Sequence, residues 1–142
     1  MIHRLLSLSI LVACAAEPPQ GTTPPLPSRP CFALDVGTLG FGEVRFGDVV
    51  PDQTLTIANP CGEALEITRL ELVDEAGTTI FQLVEPPELP ARIEATGTLE
   101  VVVTGAPPRY GRFYDVIEID STDPQVPGES VALLLDAVCE GL

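Results

Sequence analysis

The chain has 142 residues, with 21 acidic and 7 basic side chains, a formal charge of −14, one His and no Trp. Such a balance repels phosphate, so it excludes nucleic-acid binding by counterion release and disfavours docking on anionic lipid headgroups. The His is His3 and the basic residues are all arginine, so beyond the N-terminus nothing supplies a Ser-His-Asp relay, a His-bound zinc, a Schiff base or a P-loop lysine.

In chain order, His3 and Arg4 precede an apolar run from Leu5 to Ala13, closed by Leu11-Val12-Ala13-Cys14. At 1.5 Å per residue this run covers roughly 14 Å, about half a bilayer core, and is too short to span it. A basic start, an apolar middle and small residues at the end follow the pattern of a secretory signal. The last four residues resemble the lipobox of bacterial lipoproteins. That resemblance implies cleavage before Cys14, removal of residues 1–13 as a signal peptide, lipid (including palmitate) on Cys14, and a mature protein held at a membrane through that lipid. It implies a bacterial cell-envelope location, and Ala15-Ala16 after the Cys point to the outer membrane by likeness to enterobacterial sorting.

Residues 14–30 follow as a Pro-rich segment, with Pro18, Pro19, Pro24, Pro25, Pro27 and Pro30 set among Gly, Thr, Ser and Gln. Proline fixes φ and lacks the amide donor, so neither helix nor sheet forms at this density, and extended polyproline geometry is favoured. The segment reads as a disordered tether with a reach of roughly 50 Å at about 3.1 Å per residue.

Residues 31–142 read as one all-β domain. Apolar residues alternate at Leu55 and Ile57, at Leu65 and Ile67, and at Leu99, Val101 and Val103. The pattern returns at Phe113, Ile117 and Ile119, and at Val131, Leu133 and Leu135. Asn59-Pro60-Cys61-Gly62, Glu85-Pro86-Pro87 and Asp123-Pro124 with Pro127-Gly128 punctuate these runs. Period-two runs bounded by turn formers predict a β-sandwich of about seven to eight strands, with no capped helix.

A resemblance to a family rests on four segments. Leu39-Gly40-Phe41-Gly42-Glu43-Val44-Arg45-Phe46-Gly47 is similar to the opening strand of ASH-type immunoglobulin-like domains, the group that includes the choice-of-anchor D proteins. Leu55 to Gly62 resembles the second strand of that family. Pro107 and Gly111, followed by Ile117, Ile119 and Ser121-Thr122-Asp123-Pro124, resemble its P-x-x-x-G and S-x-D-P block, and Val131 to Ala137 its last strand. Three features depart from the family: Gly105 stands where an aromatic is common, Ala137 replaces a closing Gly, and the paired cysteines are extra. The resemblance implies an immunoglobulin-like sandwich used for protein interaction or scaffolding. Gly42 and Gly47 are expected to relieve a bend as the first strand passes between sheets, and Asp123-Pro124 to start a turn.

With Cys14 assigned to lipid, Cys31, Cys61 and Cys139 remain, enough for one disulfide and one thiol left over. Immunoglobulin-like topology brings the start of the first strand beside the end of its antiparallel neighbour, which favours Cys31 with Cys61. Cys139 is then unpaired at the opposite end or is an alternative partner. Closing 30 residues in this way contributes roughly 3.5 kcal/mol by chain-entropy arithmetic.

Two groups are candidates for a site. Arg109, Tyr110, Arg112 and Tyr114 bring together residue types enriched in binding hot spots; with Phe113 facing inward, Arg112 and Tyr114 share the outer face, either as an interaction patch or as ordinary surface packing. Asp115, Glu118, Asp120 and Asp123 are acidic neighbours, but they lack a calcium-loop pattern, and Asp115 faces away from Glu118 and Asp120. The expected function is therefore a non-catalytic envelope lipoprotein presenting an immunoglobulin-like module to an unknown envelope or extracellular protein. No catalytic residue, metal, cofactor, nucleic acid or small-molecule substrate is expected. A calcium-dependent adhesin is the second reading, and a carboxylate-only hydrolase the third.

Overall fold

The structure, a computed structural model, describes residues 24–74 and 79–139. The signal segment, Cys14 and the first part of the tether lie outside the described residues. Nine strands follow one another: β1 (Ala33–Leu34), β2 (Thr38–Arg45), β3 (Gln53–Ala58), β4 (Leu65–Val73), β5 (Phe81–Val84), β6 (Ala91–Ile93), β7 (Thr98–Gly105), β8 (Gly111–Ser121) and β9 (Gly128–Val138). They form a four-stranded sheet in the order β1-β3-β7-β5 and a five-stranded sheet in the order β2-β9-β8-β4-β6. No helix occurs among the described residues. The chain is an immunoglobulin-like β-sandwich.

Alternation decides which face each strand buries. Leu55 and Ile57 of β3, Ile117 and Ile119 of β8, and Leu133 and Leu135 of β9 are fully buried between the sheets. Each such side chain removed from water stabilises the fold by about 1.5–3 kcal/mol. Leu99 and Phe113, on the same inward parity, are half-buried at the margin of the core. Gly105 is buried opposite Phe81, and an added Cβ would come within 3.2 Å of Leu135 and 3.4 Å of Phe81. The space an aromatic would take at position 105 is thus filled by Phe81 from the neighbouring strand, which also packs on Phe41 at 5.4 Å between ring centroids. Ala137 is buried in register with both Val44 and Gly111.

The first strand is divided between the sheets. β1 pairs antiparallel with β3, and β2 pairs parallel with β9. The crossing falls at Asp35–Gly37: the Asp35 amide still donates to Thr56 O at 3.2 Å, whereas Gly37 O already accepts from the Ala132 amide at 3.1 Å. This corrects the expectation that Gly42 and Gly47 serve the crossing. Gly42, with φ +69°, occupies the register shift between Gly40 and Glu43, a β-bulge; Gly47, with φ +95°, lies in the turn after β2. Both left-handed conformations disfavour any residue with a Cβ.

The register gives the sandwich two poles. β8 runs from Gly111, opposite Ala137, to Asp120, opposite Gly128, about 30 Å at roughly 3.3 Å per residue. One pole, the junction end, holds the entry into β1 and the β3–β4 and β8–β9 connections. The other, the far end, holds the β2–β3 and β7–β8 connections and the exit from β9.

Candidate interaction surface at the far end

The β7–β8 connection divides the four Arg and Tyr candidates into two pairs. Arg112 and Tyr114 project from the outer face of the five-stranded sheet, as strand parity requires. Arg112 Nε donates to its cross-strand partner Asp136 at 2.8 Å. Tyr114 is 57% exposed beside Leu134, which is 38% exposed, and Gly40 on β2 adds no side chain next to Leu134. Arg109 and Tyr110 stand in the turn itself. The Arg109 guanidinium lies 5.2 Å from the Phe113 ring centroid, and Tyr110 meets Phe46 edge to face at 5.0 Å.

Phe46 and Val49 enlarge this second pair into a surface, and the sequence reading did not name either as a site residue. Phe46 is fixed where β2 ends by its amide, which donates to Val138 O at 3.0 Å. Val49 is 92% exposed, so its apolar side chain is almost wholly in water. A groove of about 290 Å³ runs between residues 46–50 and 104–107. Tyr110, itself 53% exposed, closes the cluster against Cys139, a free and exposed thiol. A side-chain hydrogen bond with Cys139 raises the phenol above its ordinary pKa. The available signal was Val49-Val50 between turn formers, an apolar pair with no strand to bury both.

The acidic candidates are not brought together. Asp115 is buried on the inward parity of β8, where its carboxylate accepts from Thr79 Oγ1 at 2.7 Å. Glu118 faces outward and pairs with Arg69, which also holds Glu71 at 3.0 Å. Asp123 belongs to the junction end. Among the described residues no group of three or more His, Cys, Asp or Glu is placed to hold a metal ion.

At the junction end, Cys31 and Cys61 form a disulfide with Cα atoms 5.3 Å apart, the pairing that the family topology favours. Asn59, fully buried, accepts from the Cys31 amide at 3.1 Å and the Cys61 amide at 3.3 Å, and its Nδ2 donates to Glu63, Ile93 and Glu94 carbonyls. Asp123 accepts from the Phe32 amide at 2.8 Å, the Gln125 amide at 2.8 Å and Arg29 at 3.1 Å. Burial pushes the Asp123 carboxyl up, but these donors outweigh it and hold the pKa below the ordinary value. Residues 27–30, assigned to the tether by composition, are fastened here as well, through the Gly62 amide to Pro27 O at 2.9 Å.

No family model and no curated protein matches the sequence. Solved structures do. The chain is similar to the ASH/PapD-like domain 7 of human CEP192, with a TM-score of 0.61, 14% identity, and coverage of 78% of this chain and 87% of that one. The periplasmic chaperone SfaE matches with a TM-score of 0.56 and 12% identity over 75% of this chain, which spans 58% of the chaperone. The VesB protease of Vibrio cholerae matches with a TM-score of 0.55 and 13% identity over 75% of this chain, but only 32% of the protease is covered. The fold shared with these structures is an immunoglobulin-like sandwich.

Proposed function

We propose that this chain is a non-catalytic, lipid-anchored envelope protein whose far end binds another protein. The observation that carries this reading is the cluster of Phe46, Val49 and Tyr110, exposed apolar and aromatic side chains about 30 Å of strand away from the tether junction. An anchor at one pole leaves the other pole presented away from the membrane. The absence of His and Lys after residue 3 supports a non-catalytic role, as does a fold shared with a chaperone and with an ASH domain. The lipobox-like Leu11–Cys14 supports export and acylation, and the family motifs support kinship with choice-of-anchor D domains.

Two measurements test the reading. Mass spectrometry of the mature N-terminus is expected to show acyl chains on Cys14; an unmodified residue there removes the anchor. A photocrosslinker placed at position 49 in intact cells is expected to capture one protein reproducibly, while the same group at exposed position 129, at the junction end, does not. Equal labelling from both positions would sink the far-end surface.

A further inference from the structure

The chain enters the sandwich through its weakest strand. β1 is held to β3 by two register pairs, Ala33 with Ala58 and Leu34 with Ile57. The chain arrives at the junction end, so a pull on the incoming segment runs along β1 and loads these two pairs in shear. β2, the second half of the same strand, lies parallel to β9 from Thr38 to Arg45. The same pull loads that pairing in shear as well, but six register pairs share the load there. The element that a pull meets first is therefore the one least able to resist it.

Just before that element the chain is cross-linked. Cys31, buried, is joined to Cys61. Asn59 binds both cysteine amides, and Asp123 binds the Phe32 amide and Arg29. We propose that the Cys31–Cys61 bridge, seated by Asn59 and Asp123, is a mechanical clasp that passes tension from the tether into the β3–β4 connection and keeps it off β1. The inference rests on the anchored-tether reading, because only an anchored N-terminus is pulled. From Cys31 the taut covalent path runs through the two sulfurs to Cys61 and on into β4. The loop that contains β1, β2 and β3 is bypassed.

Optical tweezers test the clasp on the full chain carrying Cys14→Ser, with handles at its two ends. A Cys31→Ala/Cys61→Ala variant is expected to lengthen by roughly 2–5 Å at low force, as residues 31–37, already extended along the pull, come off β3 and straighten, before the main unfolding event. The disulfide-bonded protein is expected to show no such step. The same low-force record in both proteins overturns the proposal. If the variant does not fold, disulfide-bonded molecules are unfolded, reduced with dithiothreitol in the trap and refolded at low force. Reduced molecules identify themselves by about 100 Å of additional released length. The early step in those molecules supports the clasp; its absence, or their failure to refold, overturns it, since the bridge would then serve folding and not the routing of force. The handles replace the lipid, so the result does not depend on acylation: a working clasp with an unmodified Cys14 defeats the tether reading alone.

Discussion

Asn59 and Asp123 each join segments far apart in sequence, and neither role can be read from neighbouring residues. In the sequence Asn59 is a turn former before Pro60, and Asp123 opens an Asp-Pro turn. The turns are there, but the partners at Cys31, Ile93 and Phe32 come from other loops that only the folded sandwich brings to one pole. Asn59→Ala leaves buried amides and carbonyls unpaired at about 1–3 kcal/mol each, so a loss of about 3–5 kcal/mol is expected. Thermal unfolding should show a midpoint lower by more than about 10 °C. Asp123 is sensitive to pH in a stated direction. Its folded pKa lies below the unfolded value of about 3.9, so its contribution is present above that value and is lost as pH falls through the folded pKa. Acid titration of stability is expected to fall below about pH 4, and Asp123→Asn, less stable at pH 7, should fall less steeply over that range. Parallel acid limbs for the two proteins would show that other carboxylates govern the decline.

The central strands were legible at the scale of the element because period two persists over enough residues to be recognised. β3, β7, β8 and β9 carry it, and their buried positions match the alternation; β4 follows it at Leu65 and Ile67 and then changes parity to Leu70 across a register shift. β1, β5 and β6 have two, four and three residues, too short to display a period. These three, with β2, are the sheet edges. Brevity, Pro86 after β5, Pro90 before β6 and the bulge in β2 all blunt edge-to-edge pairing. Binding by strand addition is poorly served by such edges, which leaves the side-chain surface at the far end as the better place for a partner. The bulge gives a direct test. No atom obstructs a Cβ at Gly42, so the cost of Gly42→Ala comes from φ alone and should be about 1–2 kcal/mol in urea unfolding. A neutral result would mean that the bulge shifts its register freely.

Across the whole molecule, charge and pole separation govern behaviour. A formal charge of −14 repels itself in the compact state, so raising salt from about 0.01 M to 0.15 M, which shortens the screening length from roughly 30 Å to 8 Å, is expected to raise the unfolding midpoint. Removing the far-end side chains in Phe46→Ala/Tyr110→Ala should destabilise less than Asn59→Ala, since both rings are about half exposed and Asn59 is fully buried, while abolishing crosslinking from position 49. The fold was legible because motif order, alternation and turn residues agreed, whereas the Cys31–Cys61 pairing rested on the topology that the family resemblance implies, with Cys139 open as an alternative partner. The far-end surface was only half legible: Tyr110 and Arg109 stood out by residue type, whereas Phe46 and Val49 acquire meaning only when the β2–β3 turn is brought against the β7–β8 turn. With Cys31 and Cys61 bonded to each other, Cys139 is the free thiol among the described residues, and it sits at the pole opposite the tether junction. A single maleimide dye there would turn the protein into its own ruler, reporting by energy transfer how high above a labelled membrane the sandwich stands.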